Sequence, residues 1–218
     1  MVEYQRKDRY DINDLRDIMS ILRSPQGCPW DREQIHKSIR NDFIEEVYEA
    51  IEAIDLEDTE LLKEELGDVL LQIIFHCRIE EEKSCFDFDD ICDELCKKLI
   101  IRHPHVFGDI TVSDSGEVLK NWDSIKKETK GQTSYTETLT SVAKSLPALM
   151  RAQKVGKRAM RAGMDFSCVS DAVERVKSET DELEEAIRSG KKDDIYEELG
   201  DLLFSLSLIH ISEPTRRV

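Results

Sequence analysis

Glu46-Val47-Tyr48-Glu49, followed by Glu64-Glu65-Leu66-Gly67-Asp68, decides the fold, because it returns as Glu179-Thr180-Asp181-Glu182 and Glu197-Glu198-Leu199-Gly200-Asp201. Each acid of the second set lies 133 positions after its counterpart, without a one-residue slip. Both sets sit among apolar residues at helical spacing, where acids are costly unless something compensates them. Residues three apart on a helix share a face, so Glu46 projects beside Glu49, and Glu65 beside Asp68. Two antiparallel helices joined by a short turn bring such pairs together as a four-carboxylate cup. Glu179, Glu182, Glu198 and Asp201 predict a second one. Carboxylates that close repel one another, so the cup either binds cations or holds its protons. Hard oxygen ligands suit Mg2+, with Mn2+ as a substitute. Such a cluster can bridge phosphate oxygens and orient an attacking water. Gly67 and Gly200 fall inside helices, where glycine costs ~1 kcal/mol relative to alanine. They are expected where a facing helix or a ligand approaches the backbone. The competing reading is a pair of solvated helix faces, which the repetition disfavours.

Around these sets the apolar residues keep a helical period. Ile12, Leu15, Ile18, Met19 and Leu22 form a stripe that stops at Ser24-Pro25-Gln26-Gly27. Gly27-Cys28-Pro29-Trp30-Asp31 reads as a loop, with Trp30 packed over a bundle end or stacked on a base. Helices are predicted over 32–54, with Ile35, Ile39, Phe43, Val47, Ile51 and Ile54 on the inner side, and over 60–82, 87–101 and 113–129. Ser115, Val118, Leu119 and Trp122 are the expected inner face of the last. Residues 130–144 read as a linker. Further helices are predicted over 148–161, 170–188 and 193–209, with a turn at Ser189-Gly190. No strand is predicted. The fold class is therefore all-α, built from tandem helical-bundle modules. The expected division is a first module over 1–129, the linker, and a second module over 145–211. The second module has fewer core helices and reads as C-terminally truncated, with 212–218 as a non-native tail.

The totals agree with long solvated helices: 36% charged residues, 6% aromatic, five prolines and nine glycines in 218 residues. A formal charge of −16 argues against a nucleic-acid polymer and an anionic membrane as partners. No apolar run reaches membrane-spanning length and the N-terminus lacks a signal core, so a cytoplasmic protein is expected. Cys28, Cys77, Cys85, Cys92, Cys96 and Cys168 are expected as free thiols, with Cys92 and Cys96 as small buried hydrophobes. A di-iron bundle would want Glu-x-x-His on two helices. Glu33-x-x-His36 fits once, but Phe166 and Val169, its repeat counterparts, do not.

With these motifs in place, the chain resembles the MazG family of nucleoside triphosphate pyrophosphohydrolases. The resemblance rests on both acid sets, on Gly27-Cys28-Pro29-Trp30-Asp31, on Arg102-His103-Pro104-His105-Val106-Phe107, and on Ser145 to Lys154. It implies the all-α pyrophosphohydrolase fold, a homodimer, Mg2+ dependence, and hydrolysis of NTPs or dNTPs to the monophosphate and pyrophosphate. It further implies that Glu46, Glu49, Glu65 and Asp68 are metal ligands in the first module, and Glu179, Glu182, Glu198 and Asp201 in the second. Glu46, Glu49, Glu179 and Glu182 are then catalytic, and Glu45 is a candidate base or supporting acid. The counterpart of Glu45 is Ser178, a departure from the acidic pair. Glu64 and Glu197 are matching supporting acids, and Arg175, Lys177 and Glu197 are candidate contacts to the nucleotide. For the two bases the alternative is an ordinary surface role. The functional alternative is a metal- or nucleotide-binding module for regulation or dimer assembly, without turnover.

Overall fold

The structure, a computed structural model, describes residues 4–129, 131, 134–164 and 168–212. Among them all regular structure is α-helical, and the chain separates into two compact units, Met1–Asp109 and Ile110–Val218.

In the first unit, α1 (Ile12–Leu22) starts at Asp11, whose carboxylate accepts the Asn13 and Asp14 N–H groups while Asp14 accepts that of Asp11. These bonds satisfy donors that a helix start otherwise leaves open. Next, α2 (Pro29–Glu33) has its proline at the first turn, where the missing N–H is harmless. The continuous helix expected over 32–54 is broken here, and the regular part, α3, is Arg40–Asp55. Gln34 is extended, and Ser38 explains the interruption. Its hydroxyl accepts the Ile35 N–H at 2.9 Å and donates to the Ile35 carbonyl at 2.8 Å, competing with helical bonding. Arg23 secures the break by donating to the carbonyls of Asp31 and Gln34.

Asp58 then caps α4 (Thr59–Glu81) through the Glu60 and Leu61 N–H groups. The turn between Asp55 and Thr59 is so short that α3 and α4 must run antiparallel. They pack on one another, with Ala50 and Ala53 buried on α3. α1 packs on α4, and Met19, Ile39, Ile74, Phe75 and Ile79 make the core, flanked by Leu15, Leu70, Leu71 and Phe88. Arg23, itself buried, closes one end by a two-pronged pair with Glu82, both bonds 2.9 Å, beneath the Phe75 ring. α5 (Phe88–Arg102) and α6 (Pro104–Phe107) complete the unit.

Much of the inner face expected on α3 is not inner within one chain. Ile35, Val47, Ile51 and Ile54 are exposed, as are Ile91, Leu95, Leu99 and Ile100 on α5. Trp30 is 57% exposed and does not pack over a bundle end. Cys92 and Cys96 are exposed rather than buried, and all six cysteines are free.

In the second unit, α7 (Ser115–Thr129) leaves Ser115 exposed and Val118 and Trp122 half-buried, and the Leu119 side chain lies outside the described ones. The stretch read as a linker carries a short helix, α8 (Tyr135–Thr140), started by a Ser134–Glu137 capping box. Residues 130, 132 and 133 lie outside the described residues. α8 packs on α9 (Ala148–Arg161), where Arg158 donates to the Thr138 carbonyl and to Ser141 Oγ. α10 (Val169–Ser189) turns through Gly190, at φ 70°, into α11 (Lys192–Ser212). That left-handed backbone is what a glycine at a helix end supplies cheaply. α10 and α11 form the second hairpin, and α9 packs on α11. Of the expected tail, 213–218 lies outside the described residues.

Candidate metal centre

Each hairpin gathers acids at its helix–helix seam. On α3 and α4, oxygens of Glu46, Glu49 and Glu65 lie within 4.8 Å of one another. On α10 and α11, Glu179, Glu182 and Glu198 do the same. These are three-carboxylate cups rather than the four-carboxylate cups expected. Asp68 and Asp201, one helical turn beyond Glu65 and Glu198, stand outside the tight groups but act on them electrostatically. Asp68 is the strongest of the charges acting on Glu46, so the fourth acid stays beside the cup.

Two acids of each cup hold their protons more firmly than free carboxylates do. The Glu46 carboxyl is pushed up by burial first, then by the charges of Asp68, Glu49 and Glu65. Glu65 is pushed up by partial desolvation, then by Glu49, Asp68 and Glu64. In the second cup, burial raises Glu179, Arg175 opposes the shift, and Glu182 and Asp201 add to it. Glu198 is raised by desolvation and by Glu182, Glu179, Asp201 and Glu197. In all four, charge on the carboxylate is penalised and a cation would relieve it.

The remaining sequence candidates fall at different distances from this chemistry. Glu45 is exposed on α3 beside Glu46, and Glu64 and Glu197 are exposed neighbours of Glu65 and Glu198. Arg175 lies inside the second cup, donating to Glu179 Oε1, with its other amino group 3.6 Å from Glu182 Oε1. Lys177 is exposed and, among the described residues, makes no ion pair with the cup. Ser178, where the first repeat has Glu45, donates to Glu182 Oε1 at 2.7 Å. That contact escaped the sequence reading, although its i,i+4 spacing was a usable signal. At Gly67 and Gly200 an added Cβ would meet no atom within 4 Å, so among the described residues no facing helix approaches them. His36 lies 2.7 Å, Nδ1 to Nδ1, from His76 and pairs through Nε2 with Glu80.

The cups fit a hard divalent cation. Their donors are carboxylate oxygens alone, with no nitrogen or sulfur to select a softer metal. Glu179 is 2% exposed, and its Oε2 is buried without a hydrogen-bond partner among the described residues. Such an atom is costly unless something reaches it.

An all-α chain with a carboxylate cup on each of two helical hairpins defines the class. The chain belongs to the MazG nucleotide pyrophosphohydrolase domain family, whose profile matches residues 34–107 and 169–215. The two matched stretches each contain one cup. The chain is 43% identical over 197 residues to the nucleoside triphosphate pyrophosphohydrolase of Escherichia coli (strain K12), covering 89% of this chain and 75% of the relative. It is also 43% identical over 197 residues to the nucleoside triphosphate pyrophosphohydrolase/pyrophosphatase MazG of Thermotoga maritima, covering 73% of that protein. A nucleoside triphosphate pyrophosphohydrolase of Mycobacterium tuberculosis is 36% identical over 192 residues. The family implies a divalent metal cofactor.

Proposed function

We infer that this chain is a hydrolase that splits nucleoside triphosphates, ribo- or deoxyribo-, into the monophosphate and pyrophosphate. The observation that carries this reading is the pair of cups in equivalent register, each within a stretch matched by the pyrophosphohydrolase family. Mg2+ is the proposed ion. Its proposed ligands are Glu46, Glu49, Glu65 and Asp68 in the first module and Glu179, Glu182, Glu198 and Asp201 in the second. A divalent ion in such a cup neutralises phosphate charge and acidifies water.

The chain's own groups carry the rest. Glu46 and Glu49 on α3 and Glu65 on α4 fix where a triphosphate can approach. Glu45, exposed beside Glu46, takes the proton of the water that attacks the α-phosphorus. The new bond joins that water oxygen to the α-phosphorus, and the bond from phosphorus to the bridging oxygen breaks, releasing pyrophosphate. In the second module Arg175 and Lys177 are the proposed phosphate contacts, and Glu197 supports Glu198.

The repeat supports a first module over 1–129 and a second over 145–211, a division that differs from the two compact units, which part after Asp109. A homodimer is proposed because α3 and α5 present Ile44, Val47, Tyr48, Ile51, Leu95 and Leu99 to solvent, and a second copy would cover them. A cytosolic site is proposed from the six free cysteines. Among the described residues, no helix is long and apolar enough to cross a membrane.

One observation favours a second reading for one cup. With Ser178 where the first repeat has Glu45, the second cup lacks an equivalent base, so it would bind metal or nucleotide without turnover. The test is 31P NMR of ATP and dTTP with the chain and Mg2+, then with EDTA. Glu49→Gln and Glu182→Gln, each with intact helix content, report the two modules separately. Product that persists in EDTA, or in the double variant, would refute the proposal.

A further inference from the structure

This inference rests on the reading of both acid sets as metal sites, and it concerns a difference between them. When one repeat is laid over the other, Arg175 falls where the first has Asp42, and Ser178 where it has Glu45. The first cup thus has an acid at each position where the second has a cation or a neutral hydroxyl. The charges acting most strongly on Glu46 and Glu65 are all acidic. Among the described residues no lysine or arginine forms an ion pair with Glu46, Glu49, Glu65 or Asp68.

The second cup is already half filled. Arg175 takes Glu179 Oε1 with one amino group and stands 3.6 Å from Glu182 Oε1 with the other. Ser178 donates to that same Glu182 oxygen. The free oxygen of Glu179 is buried and has no partner among the described residues. A guanidinium stays charged at any pH the protein survives, so it cannot vacate the site by losing a proton. It can only move, and its side chain, 46% exposed, has solvent to move into.

We propose that Arg175 is a resident counter-cation of the second cup, and that it makes the two metal sites unequal. The first cup, all acid, takes a divalent ion more tightly. The second takes one only as the guanidinium releases Glu179 and Glu182, because ion and guanidinium compete for the same oxygens and repel each other. As the divalent concentration rises, the first cup fills before the second.

Mn2+ titration of the full chain, with free Mn2+ read by electron paramagnetic resonance, tests this without any turnover. Glu46→Gln/Glu49→Gln leaves the second cup to be read alone, and Glu179→Gln/Glu182→Gln leaves the first. The first cup should bind more tightly. In the background that reads the second cup, Arg175→Gln should tighten Mn2+ about tenfold, the effect of removing one adjacent positive charge. Arg175→Lys, which keeps the charge, should change it less. In the background that reads the first cup, Asp42→Arg should weaken binding by a similar factor. Helix content by circular dichroism identifies folded variants. Unchanged or weaker binding in folded Arg175→Gln overturns the proposal, and so does unchanged binding in folded Asp42→Arg. Equal affinity of the two cups overturns it while leaving the metal reading intact. No Mn2+ binding by the unaltered chain overturns the metal reading and this proposal together.

Discussion

Replacing Glu46 by glutamine should stabilise the metal-free protein and destabilise the metal-loaded one. The side chain keeps its size and loses its charge. In the cup, oxygens of Glu46 and Glu49 lie within 4.8 Å. Even with the full dielectric of water, two unit charges at that distance repel by about 0.9 kcal/mol. Glu65 and Asp68 add repulsion of the same sign, and burial of Glu46 adds a desolvation cost that glutamine largely avoids. Without metal the variant should therefore gain about 1 kcal/mol or more, which for a unit of about a hundred residues raises the melting temperature by roughly 4–8 °C. With a divalent ion at a hundred times its dissociation constant, the unaltered cup gains about 2.7 kcal/mol. The variant, one ligand short, forfeits most of that. The order of stability should reverse between EDTA and Mg2+. Thermal unfolding followed at 222 nm, in both conditions, reads the two orders directly. A variant that melts lower in EDTA would show that Glu46 is not repelled in the folded state. A variant that keeps its advantage in excess Mg2+ would show that Glu46 does not hold the ion.

The pH dependence should have two opposing limbs. Glu80, held down to about 2 by its hydrogen bonds to Lys83 and then His36, lends stability above the ordinary carboxylate range that is lost as pH falls toward 2. The cup acids Glu46, Glu65, Glu179 and Glu198 are raised, so their cost appears as pH climbs through the ordinary range and persists above it. Urea unfolding in EDTA should peak between these limbs, and a divalent ion should flatten the upper one; a curve with the same upper limb in both would contradict the cup reading. Ile74→Ala, at a core position 2% exposed, should cost about 2–5 kcal/mol in the same assay. Gly67→Ala meets no neighbour within 4 Å, so it should raise helix stability by up to ~1 kcal/mol. If the open space there admits substrate, the same variant should lower turnover, as 31P NMR would report.

Pattern alone was enough for the two hairpins. Acids three apart must share a helix face, and Ser189-Gly190 marked the second turn because glycine accepts the left-handed backbone found at Gly190. Other features depended on atoms that the pattern does not represent. The helix expected through 32–54 breaks because the Ser38 hydroxyl and the buried Arg23 satisfy backbone groups that a helix would otherwise claim. The apolar face of α3 was legible, but a helical period does not say what covers it. In one chain Ala50 and Ala53 are the buried positions and Ile51 and Ile54 are not.

Composition and register determined by themselves that this chain is helical, doubled, acidic at both seams, and suited to a hard cation. Those properties follow from residue type and helical geometry, which are local. Only the tertiary structure decided that three carboxylates, not four, close to within 4.8 Å, and that Glu179 is buried to 2% exposure. It alone decided that Arg175 pairs with Glu179 and reaches toward Glu182. Those are matters of interhelical distance and rotamer, which a pattern of residue types does not represent.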